Sequence, residues 1–296
     1  MTTDHHHGPA AFDRACALGV TFNVVFVVTE AVFGVIAGST ALLADAAHNF
    51  SDVLGLLLAW GASHLSRRPR SPRRTYGWRS SSILAALLNA IGLLVVTGGI
   101  AWQAVQRFGT PEPVAGGIVA WVALVGVGVN TATALLFVRG RKNDLNIRGA
   151  FLHMVADAAV SAGVVAAGVA ILVTGSLWID PVVTLLIAAV ILGSMWGLLR
   201  ESVNLALHAV PEGIDPMAVE DYLVGLPGVT AVHDVHIWAM STTETALTAH
   251  LVKQDVRDDD AIIATATRVL HERFGIQHTT LQWERGPDAC CPRGGS

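Results

Sequence analysis

The sequence predicts an α-helical membrane protein: six transmembrane helices followed by a small α+β cytoplasmic domain. Hydrophobic residues make up 52% of the 296-residue chain and charged residues only 14%, with a mean hydropathy of +0.53. Soluble domains carry about 25% charged residues. Six apolar stretches are each long enough to cross a bilayer, which takes about 20 residues. After about residue 205 the composition becomes that of a soluble domain. The net charge of −4 adds little, because the charges are unevenly placed.

The spans fall at roughly 15–37, 41–64, 82–104, 114–138, 149–174 and 178–199, within a membrane domain of residues 14–200. The second and fifth are the least pure, since they carry His and Asp among Ala, Val, Leu, Gly and Ile. Basic residues orient the bundle. The link Ser66–Tyr76 is rich in Arg, Arg139 to Lys142 follows the fourth span with Arg148 close by, and Arg200 follows the sixth. The links at Gly38–Thr40, Phe108–Pro113 and Gly175–Trp178 are nearly free of Lys and Arg. By the positive-inside rule both termini are cytoplasmic, as an even number of spans requires. Residues 1–13 read as a mobile segment bearing His5, His6 and His7, with no Arg/Lys-led signal peptide. A bacterial inner membrane is the expected location.

In residues 201–285, Asp215-Pro216 opens a helix through Val224, with Pro at the first helical position. Val229–Ala239 and Thr245–Val252 read as strands, Asp258–Phe274 as a helix and Gln277–Trp283 as a strand. The order αββαβ predicts one small layered domain. The Gly/Pro/Cys-rich tail 286–296 reads as mobile. Cys16, Cys290 and Cys291 make no disulfide framework, and the adjacent pair suits a reducing compartment and a metal.

Inside the second and fifth spans one spacing occurs twice, His48-x-x-x-Asp52 and His153-x-x-x-Asp157. A spacing of four sets both residues on one helix face. A lone His in an apolar helix is more often a packing residue. An Asp near the bilayer centre costs roughly 2.5–3.5 kcal/mol, however, so two matched pairs point to function. Two such helices face to face offer two imidazoles and two carboxylates, the ligand set of one tetrahedral zinc-like ion. That set suits Zn²⁺ and tolerates Cd²⁺, Co²⁺, Ni²⁺ or Fe²⁺. Only neutral imidazole and ionised carboxylate bind metal, so protons compete for the same atoms where His titrates. Exposed to each side in turn, such a site exchanges metal for protons without ATP, and the chain has no phosphate-binding Gly-x-x-x-x-Gly-Lys-Ser/Thr loop.

Asp45, three residues before His48, lies on the same stripe. Its readings are a proton relay, a residue near the outer mouth, or the preferred one, a partner orienting His48. For Glu30, Asn23, Asn89 and Asn130, interhelical hydrogen bonding is the default. Two other classes compete with a carrier. An intramembrane metalloenzyme needs an open coordination position and a general base, whereas four ligands here close the tetrahedron. A membrane-bound metal sensor needs an output element, and no kinase, cyclase or nucleic-acid-binding pattern is present.

Several motifs together resemble the cation diffusion facilitators, in particular the bacterial zinc/cadmium/cobalt efflux branch and its animal zinc-transporter relatives. They are Leu43-Ala-Asp-Ala-Ala-His-Asn-Phe-Ser-Asp52, the His153/Asp157 pair, Tyr76-Gly77 before Leu84-Ala-Ala-Leu-Leu-Asn89, and His233-Asp-Val-His-Ile-Trp238. The resemblance runs over residues 14–285. It implies a homodimer of six-span protomers with a ferredoxin-like cytoplasmic domain, exporting Zn²⁺ against protons by alternating access through His48, Asp52, His153 and Asp157. It also implies zinc at the dimer interface of the cytoplasmic domain. The matching positions are His233, His250 and Glu284, with His278 as an addition and Cys290 and Cys291 resembling a tail Cys pair. His236 is left out, because a regular strand turns it to the opposite face from His233. Where relatives read Tyr-Gly-Tyr/Trp-His-Arg-Ala-Glu, this chain has Tyr76-Gly-Trp-Arg79-Ser-Ser-Ser82, which removes the ligands for an accessory site there. The link between the fourth and fifth spans is short and basic rather than long and His-rich. His64 reads as a helix-end histidine, and His5 to His7 as a weak chelator.

Overall fold

The computed structural model describes residues 9–66, 68–137, 145–255 and 257–285. Six long helices come first: α1 (Pro9–Ala37), α2 (Thr40–Ser66), α3 (Ser81–Arg107), α4 (Gly116–Phe137), α5 (Leu145–Thr174) and α6 (Ile179–Ala206). Then follow α7 (Pro216–Val224), β1 (Ala231–Ala239), β2 (Thr245–Val252), α8 (Asp259–Phe274) and β3 (His278–Glu284). Among the described residues, four segments are long and apolar enough to cross a membrane: Ser81–Arg107, Gly116–Leu135, Phe151–Thr174 and Ile179–Ala206. In α1 the apolar stretch among the described residues is Asn23–Ala37, and α2 carries Asp45, His48, Asn49 and Asp52 in its first half.

Several boundaries differ from expectation, those of α1 and α6 the most. α1 begins at Pro9, a residue suited to the first helical turn because its missing N–H needs no partner there. α6 continues to Ala206 instead of stopping near 199, since Arg200 and Glu201 end an apolar run without ending a helix. His5, His6, His7, the basic run 139–142, Cys290, Cys291 and the tail 286–296 lie outside the described residues.

The chain divides into two compact units, Met1–Leu57 with Asn89–Trp196 and Leu58–Leu88 with Gly197–Ser296. In the first unit, Leu42, Leu93, Val119, Val164 and Ile187 form the apolar core. Small residues bring α4 and α5 into backbone contact. A Cβ on Gly116 would lie 2.6 Å from Gly168 O, and one on Gly168 would lie 2.6 Å from Ala120 N. Such close approach is how helices associate where the solvent is as apolar as their side chains. Val25, Val35, Trp121, Leu172 and Val173 are largely exposed on this unit, as a hydrocarbon surround demands.

The N-terminus of α2 is capped from a distant helix. The fully buried Asp180 of α6 accepts hydrogen bonds from Ser39 Oγ at 2.5 Å, Thr40 N at 2.8 Å and Thr40 Oγ1 at 2.7 Å. Arg107 of α3 balances its charge at 3.3 Å and donates to Gly38 O at 2.5 Å. Free N–H groups at a helix start take an anionic acceptor well. Gly38 closes α1 with φ +63, and a Cβ there would come 2.9 Å from Pro113 O. These contacts fix where α2 begins, and with it the height of His48 and Asp52.

In the second unit, Asp215 caps α7 by accepting from Met217 N at 2.9 Å, with Pro216 following as expected. The sheet has the order β1-β2-β3, antiparallel between β1 and β2 and parallel between β2 and β3. A parallel neighbour needs a crossover, which α8 supplies. Val219, Leu223, Leu247, Leu251, Ala266 and Leu270 bury the face of the sheet that meets α7 and α8. The segment joining α2 to α3 packs on the same unit: Arg79 pairs with Glu244 at 2.7 Å, and Thr242 N donates to Ser82 Oγ at 3.0 Å.

Candidate metal sites

α2 and α5 bring the two His/Asp pairs together. His48 Nε2 lies 3.2 Å from Asp157 Oδ1 and 3.9 Å from Asp52 Oδ2. His153 Nε2 lies 3.3 Å from Asp52 Oδ2 and 3.6 Å from Asp157 Oδ2. Each imidazole therefore touches both carboxylates, in a closed ring of four side chains. Ligand bonds of about 2.0–2.1 Å in a tetrahedron separate the donors by roughly 3.3 Å. The ligand atoms of His48, Asp52 and Asp157 lie within 4.8 Å of one another, and His153 must draw in for one small cation to touch all four. The two rings stand 6.1 Å apart, nearly perpendicular. The ring is unevenly covered: the Asp157 side chain is 3% exposed and that of His153 45%.

The surroundings depart from the preferred role of Asp45. Asp45 accepts from Ser161 Oγ at 2.8 Å, with no hydrogen bond to His48 among the described contacts. His48 Nδ1 is buried without a hydrogen-bond partner among the described residues. Glu30 is fully buried and accepts from Asn49 Nδ2 at 3.1 Å, the kind of interhelical bond expected of it. Asn89 accepts from Ser51 Oγ at 3.4 Å, which joins α3 to α2.

The second cluster lies on the sheet face opposite α7 and α8. His233 of β1, His250 of β2 and Glu284 of β3 place three ligand atoms within 4.8 Å of one another. His233 Nε2 is 2.9 Å from Glu284 Oε2, and His250 Nδ1 is 2.8 Å from Glu284 Oε1. His250 Nδ1 and Glu284 Oε1 nevertheless miss hydrogen-bond geometry and have no partner among the described residues, whereas His233 Nε2 and Glu284 Oε2 are hydrogen-bonded. The unbonded convergence of His250 Nδ1 and Glu284 Oε1 fits ligands of a shared cation better than a hydrogen-bonded pair. Two imidazoles and a carboxylate leave a fourth tetrahedral position for a further ligand.

β1 is irregular at this site. Its register with β2 shifts between His233 and His236, where three residues of β1 span two of β2, and Asp234 takes φ +52. The extra residue returns His236 to the face of His233, which corrects the opposite-face reading drawn from a regular strand. Asp234 then bridges His236 Nε2 at 2.9 Å and His250 Nε2 at 3.7 Å. Sequence spacing missed Asp234, and its one available signal was an Asp between two His, a residue tolerant of left-handed backbone.

His278 is not brought to this cluster. It opens β3, opposite Ala246, and its Nε2 lies 2.5 Å from Arg79 Nη1. Six residues of strand separate it from Glu284, about 20 Å at 3.3 Å per residue. His64 lies in the last turn of α2, as a helix-end histidine should.

Two family models match the chain. The cation efflux transmembrane domain covers residues 17–205, and the cytoplasmic domain of cation efflux proteins covers 211–286. The chain is 38% identical to the zinc transporter ZitB of Shigella flexneri, over 92% of its own length and 86% of that protein's. It is 32% identical to the metal cation efflux system protein CzcD of Cupriavidus metallidurans, over 97% and 92% of the two chains. The cadmium, cobalt and zinc/H⁺-K⁺ antiporter of Bacillus subtilis is 31% identical, over 95% and 91%. A multi-pass helical membrane domain that matches these transporters over nearly its whole length defines a cation carrier rather than an enzyme. The chain belongs to the cation efflux family, the cation diffusion facilitators.

Proposed function

We propose that this protein exports Zn²⁺ by exchanging it for protons across a bacterial inner membrane, through alternating access to His48, Asp52, His153 and Asp157. The observation that carries this reading is the closed ring, in which each imidazole lies against both carboxylates at 3.2–3.9 Å. Without metal, such a ring is held by protons on its imidazoles. With metal, the same four atoms must shed protons to become ligands. Two nitrogen and two oxygen donors favour zinc and admit Cd²⁺, Co²⁺, Ni²⁺ and Fe²⁺. Relatives named for zinc transport and for cadmium, cobalt and zinc antiport support both cargo and exchange. The ring lies between α2 and α5, so a shift of one helix against the other changes the side to which it opens.

In this reading α1 to α6 all span the membrane, with both termini cytoplasmic. The domain after residue 205 is ferredoxin-like and joins two copies as a homodimer. His233, His250 and Glu284 would hold a zinc ion there, with Cys290 and Cys291 as candidate ligands from the tail and Asp234 beside them. Such an ion supplies fixed positive charge between three strands. Reconstitution in liposomes with an internal zinc dye and an imposed pH gradient tests the transport reading. Wild-type protein should move zinc in response to the gradient, and Asp157→Ala should fall to the protein-free background. Flux that ignores the gradient, or that survives Asp157→Ala, overturns it.

A further inference from the structure

Beside the ring of four lies a second cluster of buried acid that the ring does not use. Glu30 of α1 and Asp45 of α2 are both fully buried. Asp45 and Asn49 lie one turn apart on α2, and Asn49 reaches Glu30, which sets the two acids side by side; among the described residues Glu30 Oε1 and Asp45 Oδ1 meet no donor. The other oxygens are taken: Asn49 Nδ2 donates to Glu30 Oε2 at 3.1 Å, and Ser161 Oγ donates to Asp45 Oδ2 at 2.8 Å.

Two ionised carboxylates can only accept, so they cannot satisfy each other, and burying both charges without a cation is costly. One proton resolves both problems. It converts one carboxyl into a donor, pairs the orphaned oxygens and halves the buried charge. The charged neighbours fit this need. Asp45 is the titratable group acting on Glu30, and Asp45 is acted on in turn by His48 of α2 and Asp157 of α5. α4 closes the remaining side and carries no titratable residue along Gly116–Phe137. Its Gly126 lets the backbone approach so closely that a Cβ would stand 2.9 Å from Phe26 Cζ and 3.3 Å from Ser161 Oγ.

We propose that Glu30 and Asp45 form a proton-binding site beside the metal ring, a carboxyl pair that holds one proton when the ring is empty and releases it when a divalent cation binds. The proposal rests on the antiport reading above and assigns a place to one of the exchanged protons. Asn49 follows His48 in α2, and Ser161 lies one helical turn beyond Asp157 in α5, so each half of the pair is bonded to a neighbour of the ring. A cation in the ring adds two positive charges nearby. The O–H bond of the pair then breaks, its electrons stay on the carboxylate, and the proton leaves to the side on which the ring is open. No electron transfer is involved.

Proteoliposomes that report zinc and proton flux together provide the test. Glu30→Gln keeps the shape and loses the dissociable proton, so its proton-to-zinc ratio should fall by about one while calorimetry still detects zinc binding. A wild-type ratio in Glu30→Gln overturns the proposal. Infrared spectra of the wild-type protein decide the matter where the variant does not fold. The metal-free protein should show the carbonyl stretch of a protonated carboxyl, and zinc should remove it; absence of that band, or its persistence with zinc bound, also overturns the proposal. Wild-type zinc flux that ignores a pH gradient overturns the antiport reading instead, and the zinc-sensitive infrared band then judges the pair on its own.

Discussion

The ring between α2 and α5 and the cluster on the sheet are built from the same donors and assembled in opposite ways. In the ring, each His and Asp lie one turn apart on one helix, so two elements suffice for four ligands. In the cluster, each of three strands supplies one ligand, and only the register of the sheet brings them together. A site shared by two helices opens when they shift, whereas one pinned across hydrogen-bonded strands resists opening. Carriage suits the first construction, and a fixed ion the second.

Removing a donor from each site tests that contrast most strongly. His153→Ala should abolish gradient-driven zinc flux while zinc still binds the sheet cluster, as isotope counting would show. The converse variant, His250→Ala, should lower bound zinc by one ion per chain yet leave flux within about fivefold of wild type, the low end of coupling between distinct sites. Unchanged stoichiometry in His250→Ala would remove His250 from the ligands.

A second pair of changes acts on the supports. Asp180→Ala strips the cap from α2, leaves the Ser39 and Thr40 donors without their acceptor and leaves Arg107 to pair with Glu112 alone, which should cost about 1–3 kcal/mol in detergent thermal unfolding. Zinc affinity at the ring should fall with it, and that of the sheet cluster should not. Gly168→Leu forces α4 and α5 apart where their backbones touch, and flux should drop while the sheet cluster again stays intact.

The smallest effect is expected from acid. Asp259, near the exit of β3, is held below the ordinary carboxylate value first by Arg285 and then by Lys253, which lies 2.9 Å away. Arg257 similarly holds Asp255 down to about 2. A depressed value in the folded state means the clamp acts fully above the unfolded value near 3.8 and fades as pH falls below it. Acid unfolding of the sheet domain below pH 3.8 should therefore be shallower in Asp259→Asn, as circular dichroism would register.

The two sites also differ in how far they were legible before folding. His48, Asp52, His153 and Asp157 could be read as one site because a helix converts a spacing of four into a shared face. The elements of the sheet domain were legible too, from alternation in Thr245–Val252 and the Asp-Pro start of α7. His236 was misjudged because strand parity assumes an unbroken pleat, and the extra residue at Asp234 resets it. No spacing marks Asp180 as the cap of a helix that begins 140 residues earlier. Proximity along α2 pairs Asp45 with His48, whereas its hydrogen bond goes across to Ser161 of α5.

Local periodicity in the chain therefore settles the helices, the strands and the two halves of the ring, because 3.6- and 2-residue repeats act over a few neighbours. Tertiary structure alone decides which halves meet, which oxygens of Glu30 and Asp45 stay unpaired, and that His233, His250 and Glu284 share one face. Those outcomes depend on groups far apart in sequence. Their partners are chosen by packing, by capping across helices and by strand register, none of which leaves a spacing to read.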